Sequence, residues 1–309
     1  MTTFYFTLDA CIGHDPGPMH SESPARLKAV QEALAHPEFD ALVRREAPIA
    51  EIEQIARIHP PELVERILEA VPTEGRVMLD GDTSMSPMSG EAARRAVGAL
   101  CSAVDAVASG EAKNAFCAIR PPGHHAEPTV PMGFCIFNNI AAGAEQARKV
   151  HGMERIAVVD FDVHHGNGTQ AMFWSDPNLM FASTHQMPLY PGSGAESERG
   201  EHNNIVNAPL APYSGTKEFQ HAMSERILPA LRAFEPDFLM ISAGFDAHQA
   251  DPLAQLNFVE SDYAWATAEL LAVAEEFCEG RLVSTLEGGY DLRALADSAA
   301  AHVGVLMEA

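Results

Sequence analysis

Basic residues are scarce in this chain: 20 Lys and Arg stand against 43 Asp and Glu, a formal net charge of −23. A phosphate backbone needs the opposite sign over an extended surface, so nucleic acid is not expected as a partner. Cysteine is sparse as well. The five present (Cys11, Cys101, Cys117, Cys135, Cys278) are an odd number without close pairs. They predict neither a disulfide framework nor a thiolate metal cage, and they suit reduced thiols in a cytoplasm. No apolar stretch reaches the length of a bilayer span, and residues 1–10 lack the basic start and apolar run of a signal peptide. The expectation is a soluble, cytoplasmic protein with no membrane partner. Low-complexity tracts, repeats and long linkers are also missing, which reads as one domain over 1–309. The acid excess suits a solubilising surface, and the same field would attract a cationic substrate.

What is present is a globular balance, 47% apolar and 20% charged, with chain enough for a sizeable core. Short apolar runs at 4–8, 115–119, 156–161, 179–183, 238–242 and 282–286 read as strands buried on both faces, because most lack in-out alternation. Helical spacing separates them. Ser89 can cap a helix bearing Ala93, Val97, Leu100, Val104 and Val107; a second carries Phe219, Met223, Ile227 and Leu231; a third runs over 262–278. Strands alternating with helices predict an α/β fold around a parallel sheet.

Polar residues gather where the strands end: Arg120-Pro-Pro-Gly-His-His, Asp162-Val-His-His-Gly, His185, Ala243-Gly-Phe-Asp246 and Glu287-Gly-Gly-Tyr290. Ligands of open α/β sheets bind at that edge, so these segments are expected to converge on one crevice. Asp160, Asp162 and His164 alternate with apolar residues, and a two-residue period points them the same way. A lone Asp-x-His is commonly a loop carboxylate beside a capped histidine. Recurrence at several strand ends favours a divalent metal instead, with Asp246 as third ligand and a position left for water. His124 and His125 could then exchange protons with water and a leaving amine. Tyr290, beside Gly288 and Gly289, could place its phenol where an oxyanion develops or simply pack as a turn aromatic.

These residues resemble a known family. The runs His20-Ser-Glu-Ser-Pro-Ala-Arg26, Arg120-Pro-Pro-Gly-His-His-Ala, Gly133-Phe-Cys-Ile-Phe-Asn-Asn, Asp160-Phe-Asp-Val-His-His-Gly-Asn-Gly-Thr, Ser242-Ala-Gly-Phe-Asp246 and Glu287-Gly-Gly-Tyr290 are similar, in order, to the signature set of zinc-dependent histone deacetylases. That family includes bacterial acetylpolyamine amidohydrolases and acetoin-utilisation proteins. The resemblance implies the arginase-deacetylase fold, a single domain with a central, mostly parallel, eight-stranded sheet and helices on both faces. It implies one catalytic Zn2+ on Asp162, His164 and Asp246, His125 as general base then acid, and His124 as its electrostatic partner oriented by Asp160. It implies Tyr290 polarising the scissile carbonyl. Asn167, where one branch has Asp, places the chain nearer the class II-like branch and leaves His125 without an acidic orienting partner.

Further expectations rest on the same resemblance. A structural K+ would use carbonyls of Asp160, Asp162, His164 and Thr184 with side chains of Asp160 and Ser183, and a second would lie near Phe173, Asp176 and Leu179. Gly133 and Phe134 would wall an acyl tunnel together with Tyr190, near Gly288, Gly289 and His20. Asp80 and Asp82 resemble a rim loop that meets substrate. Leu253 stands where a polyamine-selective relative has an acidic gatekeeper, and His202 where relatives have glycine. The implied reaction is hydrolysis of an N-acyl amide on a lysine-like or polyamine-like amine, small molecule or peptide. Two alternatives are an arginase-like ureohydrolase, which needs further bridging carboxylates, and a non-catalytic acyl-ligand sensor, against which the retained His pair and Tyr290 argue. Without large loop insertions the pocket mouth is open, which leaves room for a homodimer.

Overall fold

A computed structural model describes residues 2–309. Its strands are β1 (Thr3–Thr7), β2 (Val43–Glu46), the short β3 (Val77–Met78) and β4 (Ser84–Met85), β5 (Asn114–Cys117), β6 (Ile156–Asp160), β7 (Leu179–Gln186), β8 (Ile205–Leu210), β9 (Phe238–Ala243) and β10 (Leu282–Leu286). Eight form one sheet in the order β2-β1-β5-β10-β9-β6-β7-β8; β3 and β4 pair as a separate hairpin. Every neighbouring pair in the large sheet is parallel, so the expected mostly parallel sheet is wholly parallel.

The six strands read from apolar runs all form, and β5, β6, β7, β9 and β10 are buried at every residue. Such burial needs cover on both faces. Two groups of helices provide it: Ser89–Ala108 with Asn139–His151, and Pro24–Ala33 with Glu260–Phe277 and Leu292–Glu308.

The two edges carry no such signal. In β2, Val43-Arg-Arg-Glu is mostly exposed, and charge on an edge strand deters pairing with other chains. Arg45 lies 4.7 Å from the Phe4 ring centroid, so the strand adds a cationic cover to β1. On the opposite edge β8 contains Pro209, tolerated where a missing N–H costs the ladder least.

Ser89 does not cap its helix in the expected manner. It is the first helical residue, and its hydroxyl accepts from the Ser86 amide at 2.7 Å. Phe219, Met223, Ile227 and Leu231 are all buried, on a helix interrupted by one π turn at Met223–Ile227.

Chain direction through the sheet locates the crevice. From β6 the chain continues outward to β7 and β8, whereas from β9 it continues the other way to β10. β6 and β9 are neighbours, with Asp160 opposite Ser242, so their carboxyl ends flank the point where the winding reverses.

Candidate active site

Asp162 and His164 follow β6, and Asp246 follows β9. One ligand atom from each of these three residues lies within 4.8 Å of those of the others. His164 Nδ1 stands 3.2 Å from Asp162 Oδ1 and 3.1 Å from Asp246 Oδ2. Backbone amides hold the remaining oxygens: Gly288 donates to Asp162 Oδ2 at 2.8 Å and Val163 to Asp246 Oδ1 at 2.9 Å. Gly288 is required there, since a Cβ at that position would collide with both carboxylates.

Two buried carboxylates this close demand positive charge between them. Burial and the neighbouring Asp162 charge raise the Asp246 carboxyl. Burial alone would lower His164, yet its bonds to Asp162 and Asp246 push it up to about 10. The donor set, one imidazole nitrogen and two carboxylates, therefore fits a divalent cation such as zinc.

Asp160 points elsewhere. Its Oδ2 meets His124 Nδ1 at 2.9 Å, and its Oδ1 accepts from the Asp162 amide at 3.0 Å. The two-residue period thus separates the trio into two ligand candidates and one residue orienting a histidine. The His124 and His125 rings lie with centroids 4.0 Å apart, tilted by 41°. Burial opposes charge on both, but Asp160 and Asp162 raise His124 well above the usual range. His125 is driven the opposite way by burial and by the neighbouring histidines. Groups pushed apart in this manner suit different proton-transfer duties.

His125 Nδ1 lies 2.8 Å from Asn167 Oδ1, as the pairing expected from the sequence requires. Tyr190 stands edge-on to His125 with centroids 5.1 Å apart. Gly133, at φ +58°, lies against the His125 ring so closely that no Cβ would fit. Phe134 approaches His20 at 4.6 Å and Tyr290 at 6.0 Å between ring centroids, so these tunnel-wall candidates lie side by side.

Asp80 and Asp82 serve the backbone in this structure. Asp80 Oδ1 accepts from the Asp82 and Thr83 amides, while Asp82 Oδ1 accepts from Gly133 N–H at 3.1 Å and from the Thr83 hydroxyl at 3.0 Å. Thr83 Oγ1 in turn accepts from Phe134 N–H at 3.0 Å. Leu253 is half-buried and donates its amide to Asp251. His202 is exposed in the loop before β8, and no contact joins it to the site.

Several residues that sequence reasoning did not single out support these groups. Glu287 Oε2 accepts from the amides of Gly123 and His124 at 2.7 and 3.2 Å, and burial pushes its carboxyl up to about 7. Asp251 Oδ2 accepts from Tyr290 N–H at 2.7 Å. Arg26 donates to the carbonyls of Gly289 and Glu287 and lies 4.8 Å from the Tyr290 ring centroid. Glu22 bridges Arg26 and Arg120, all three fully buried. The sequence hinted at them only in that Glu22 and Arg26 fall in one matched run and Arg120 opens another, because a buried ion cluster has no local periodicity.

Asp160 and Ser183 are register partners across β6 and β7, and the Thr184 hydroxyl is buried without a hydrogen-bond partner. That polar, acidic surround fits a cation. Near Phe173, Asp176 and Leu179 the three carbonyls lie 2.8, 3.1 and 2.7 Å from Asn204 Nδ2.

A histone deacetylase domain model matches residues 20–306. The chain belongs to the histone deacetylase family. It is 40% identical to a probable deacetylase of Archaeoglobus fulgidus over 91% of this chain and 79% of that protein. A histone deacetylase-like amidohydrolase of Pseudomonas aeruginosa is 38% identical over 94% and 81% respectively. Among solved structures the HDA15 HD domain superposes with a TM-score of 0.91 at 32% identity, covering 98% of this chain and 88% of that one. Family membership and fold thus agree with the wholly parallel eight-stranded sheet. No helix among the described residues is long and apolar enough to cross a membrane, and all five cysteines are free and buried.

Proposed function

We propose that this histone deacetylase-family chain is a zinc-dependent amidohydrolase acting on an N-acyl, chiefly N-acetyl, amine. The observation that carries the reading is the meeting of Asp162, His164 and Asp246 with a tandem histidine pair in one crevice, His124 Nε2 lying 3.8 Å from Asp162 Oδ2. The relatives named deacetylase and amidohydrolase support it. Zinc held by Asp162, His164 and Asp246 would supply Lewis-acid polarisation of the acyl carbonyl and acidify water.

The chain's own groups then divide the proton work. Neutral His125 takes a proton from the attacking water as the oxygen adds to the carbonyl carbon. The Tyr290 phenol, kept protonated by burial although Arg26 pulls the other way, donates a hydrogen bond as negative charge develops on the carbonyl oxygen. His125 returns its proton to the amine nitrogen as the C–N bond breaks, releasing a carboxylate and a free amine. His124, charged through Asp160, steadies the oxyanion electrostatically. Phe134, Tyr190 and Gly133 would line the channel for an aliphatic stem, and a structural potassium beside Asp160, Ser183 and Thr184 would stiffen the ligand loop.

A turnover panel on the zinc-loaded protein tests the reading, comparing acyl-lysine peptides of several chain lengths with acetylputrescine, acetylcadaverine and acetylspermidine. Tyr290→Phe should lower turnover by orders of magnitude while zinc content holds. Asp246→Ala should lose the metal. One zinc per chain is expected; two metals would favour ureohydrolase chemistry, and full loading with no hydrolysis of any acyl amine would favour a sensor.

A further inference from the structure

His125 is partnered by an amide, and an amide presents oxygen from one side and N–H from the other. Which side faces the ring decides where the imidazole proton sits. Asn167 Oδ1 opposite Nδ1 requires Nδ1–H and leaves Nε2 a free lone pair; a flipped amide would donate to Nδ1 and place the proton on Nε2, where a base is needed. The sequence departs here from a carboxylate partner, which could only accept.

The far side of Asn167 removes the ambiguity. Its Nδ2 lies 2.8 Å from Glu127 Oε1, and 3.5 Å from the His125 carbonyl. Both are acceptors only, so Nδ2 must face them and Oδ1 must face the ring. A third neighbour, Met132 Sδ at 3.4 Å, is a weak acceptor and favours the same orientation. Glu127 is itself held. Its amide donates to the Val130 carbonyl at 3.0 Å, Val130 N–H returns the bond at 3.4 Å, and His59 Nδ1 meets the Pro128 carbonyl at 3.1 Å. The half-buried carboxylate thus stands on a pinned turn two residues beyond His125.

We propose that Glu127 is a positioning residue for His125, acting through Asn167 to keep the imidazole proton on Nδ1 and Nε2 open as the base. The carboxylate missing at position 167 is supplied by Glu127 behind the amide. The proposal rests on the reading of His125 as the base, and its test separates the two.

Glu127→Leu removes the nearest and strongest of the three acceptors and weakens the hold on the Asn167 amide, leaving only the His125 carbonyl at 3.5 Å and Met132 Sδ at 3.4 Å. Nitrogen-15 NMR of histidine-labelled, zinc-loaded protein should show His125 protonated on Nδ1 in the wild type and shifted toward Nε2–H in E127L. In the acyl-amine assay kcat should fall on the order of 10²-fold with KM little changed, the pattern of a lost proton acceptor. Adding Asn167→Asp should restore the Nδ1–H form and most of kcat, because a carboxylate facing the ring can only accept; a merely structural Glu127 would not be rescued by charge placed at 167. If melting shows E127L to be poorly folded, Glu127→Ala takes its place. An Nδ1–H signal unchanged in the Glu127 variant, or a double variant no better than the single, overturns the proposal. Absence of hydrolysis by the wild type would overturn the functional reading alone, since the tautomer is still read directly.

Discussion

At Gly288 the lack of a side chain lets two carboxylates and an imidazole approach one another. Its amide holds Asp162, and a methyl group there would press on both Asp162 and Asp246. Gly288→Ala is therefore expected to lose zinc, measured by metal analysis, and to cost about 1–3 kcal/mol by overpacking. Full zinc content at wild-type stability would contradict the crowding. Glu22 poses the opposite problem. Among the described residues it is the only carboxylate bonded to both Arg26 and Arg120, and although burial opposes its charge, Arg120 holds it well below the usual carboxylate range. Glu22→Gln should leave two buried guanidinium groups without a counter-charge and destabilise the fold by about 3–5 kcal/mol in urea titration.

Among the elements, the loop joining β3 to β4 holds the Gly133–Phe134 backbone in shape. Gly133 and Phe134 are consecutive residues in the left-handed region, at φ +58° and +68°, a conformation a bulky residue keeps only under external constraint. Asp82 and Thr83 provide it through bonds to the two amides. Thr83→Val keeps the shape but removes the acceptor, leaving Phe134 N–H unpaired. A loss of about 1–3 kcal/mol is expected, with Thr83→Ser near wild type. Comparison of KM for short and long acyl chains should show the wall loosened in the Val variant only. Asp82 retains one oxygen free of these bonds, so a fall in turnover of cationic acyl amines with added salt would reveal a rim field acting on substrate.

For the molecule as a whole, stability in acid depends on histidines buried without charge. His302 sits among Phe116, Phe161 and Phe245, with Thr267 and Ser284 hydroxyls at 2.6 and 2.8 Å from its ring nitrogens. Burial pushes it down to about 3. The unfolded chain binds a proton here below about pH 6.5 and the folded chain does not, so stability falls as pH drops from about 6.5 toward 3. At pH 5 this one group should have cost about 2 kcal/mol relative to pH 7.5. His302→Gln, which keeps two hydrogen-bonding ends, should lose that much less stability between the two pH values in paired urea titrations. Equal losses would mean that His302 does not titrate on unfolding. The charge of −23 affects both proteins alike and cancels in the comparison.

Six of the eight sheet strands were legible because a strand buried on both faces must be apolar throughout. β2 and β8 were not, since edges are shaped by solvent and by avoidance of further pairing, which permits Arg44, Arg45 and Pro209. The ligand candidates were legible for a similar reason: Asp162, His164 and Asp246 must be of those residue types wherever the fold brings them. Partner choice was another matter. The family resemblance implied that Asp160 would orient His124, but Asp82 turning to the Gly133 amide, Asn204 to three carbonyls and Glu127 to Asn167 are pairings across distances in sequence that no local pattern spans. By itself the sequence determined which chemical groups the strand ends carry and the family they belong to. Only the tertiary structure decided what the supporting groups behind them face and, through the one-way character of carboxylate and carbonyl acceptors, which nitrogen of His125 holds the proton.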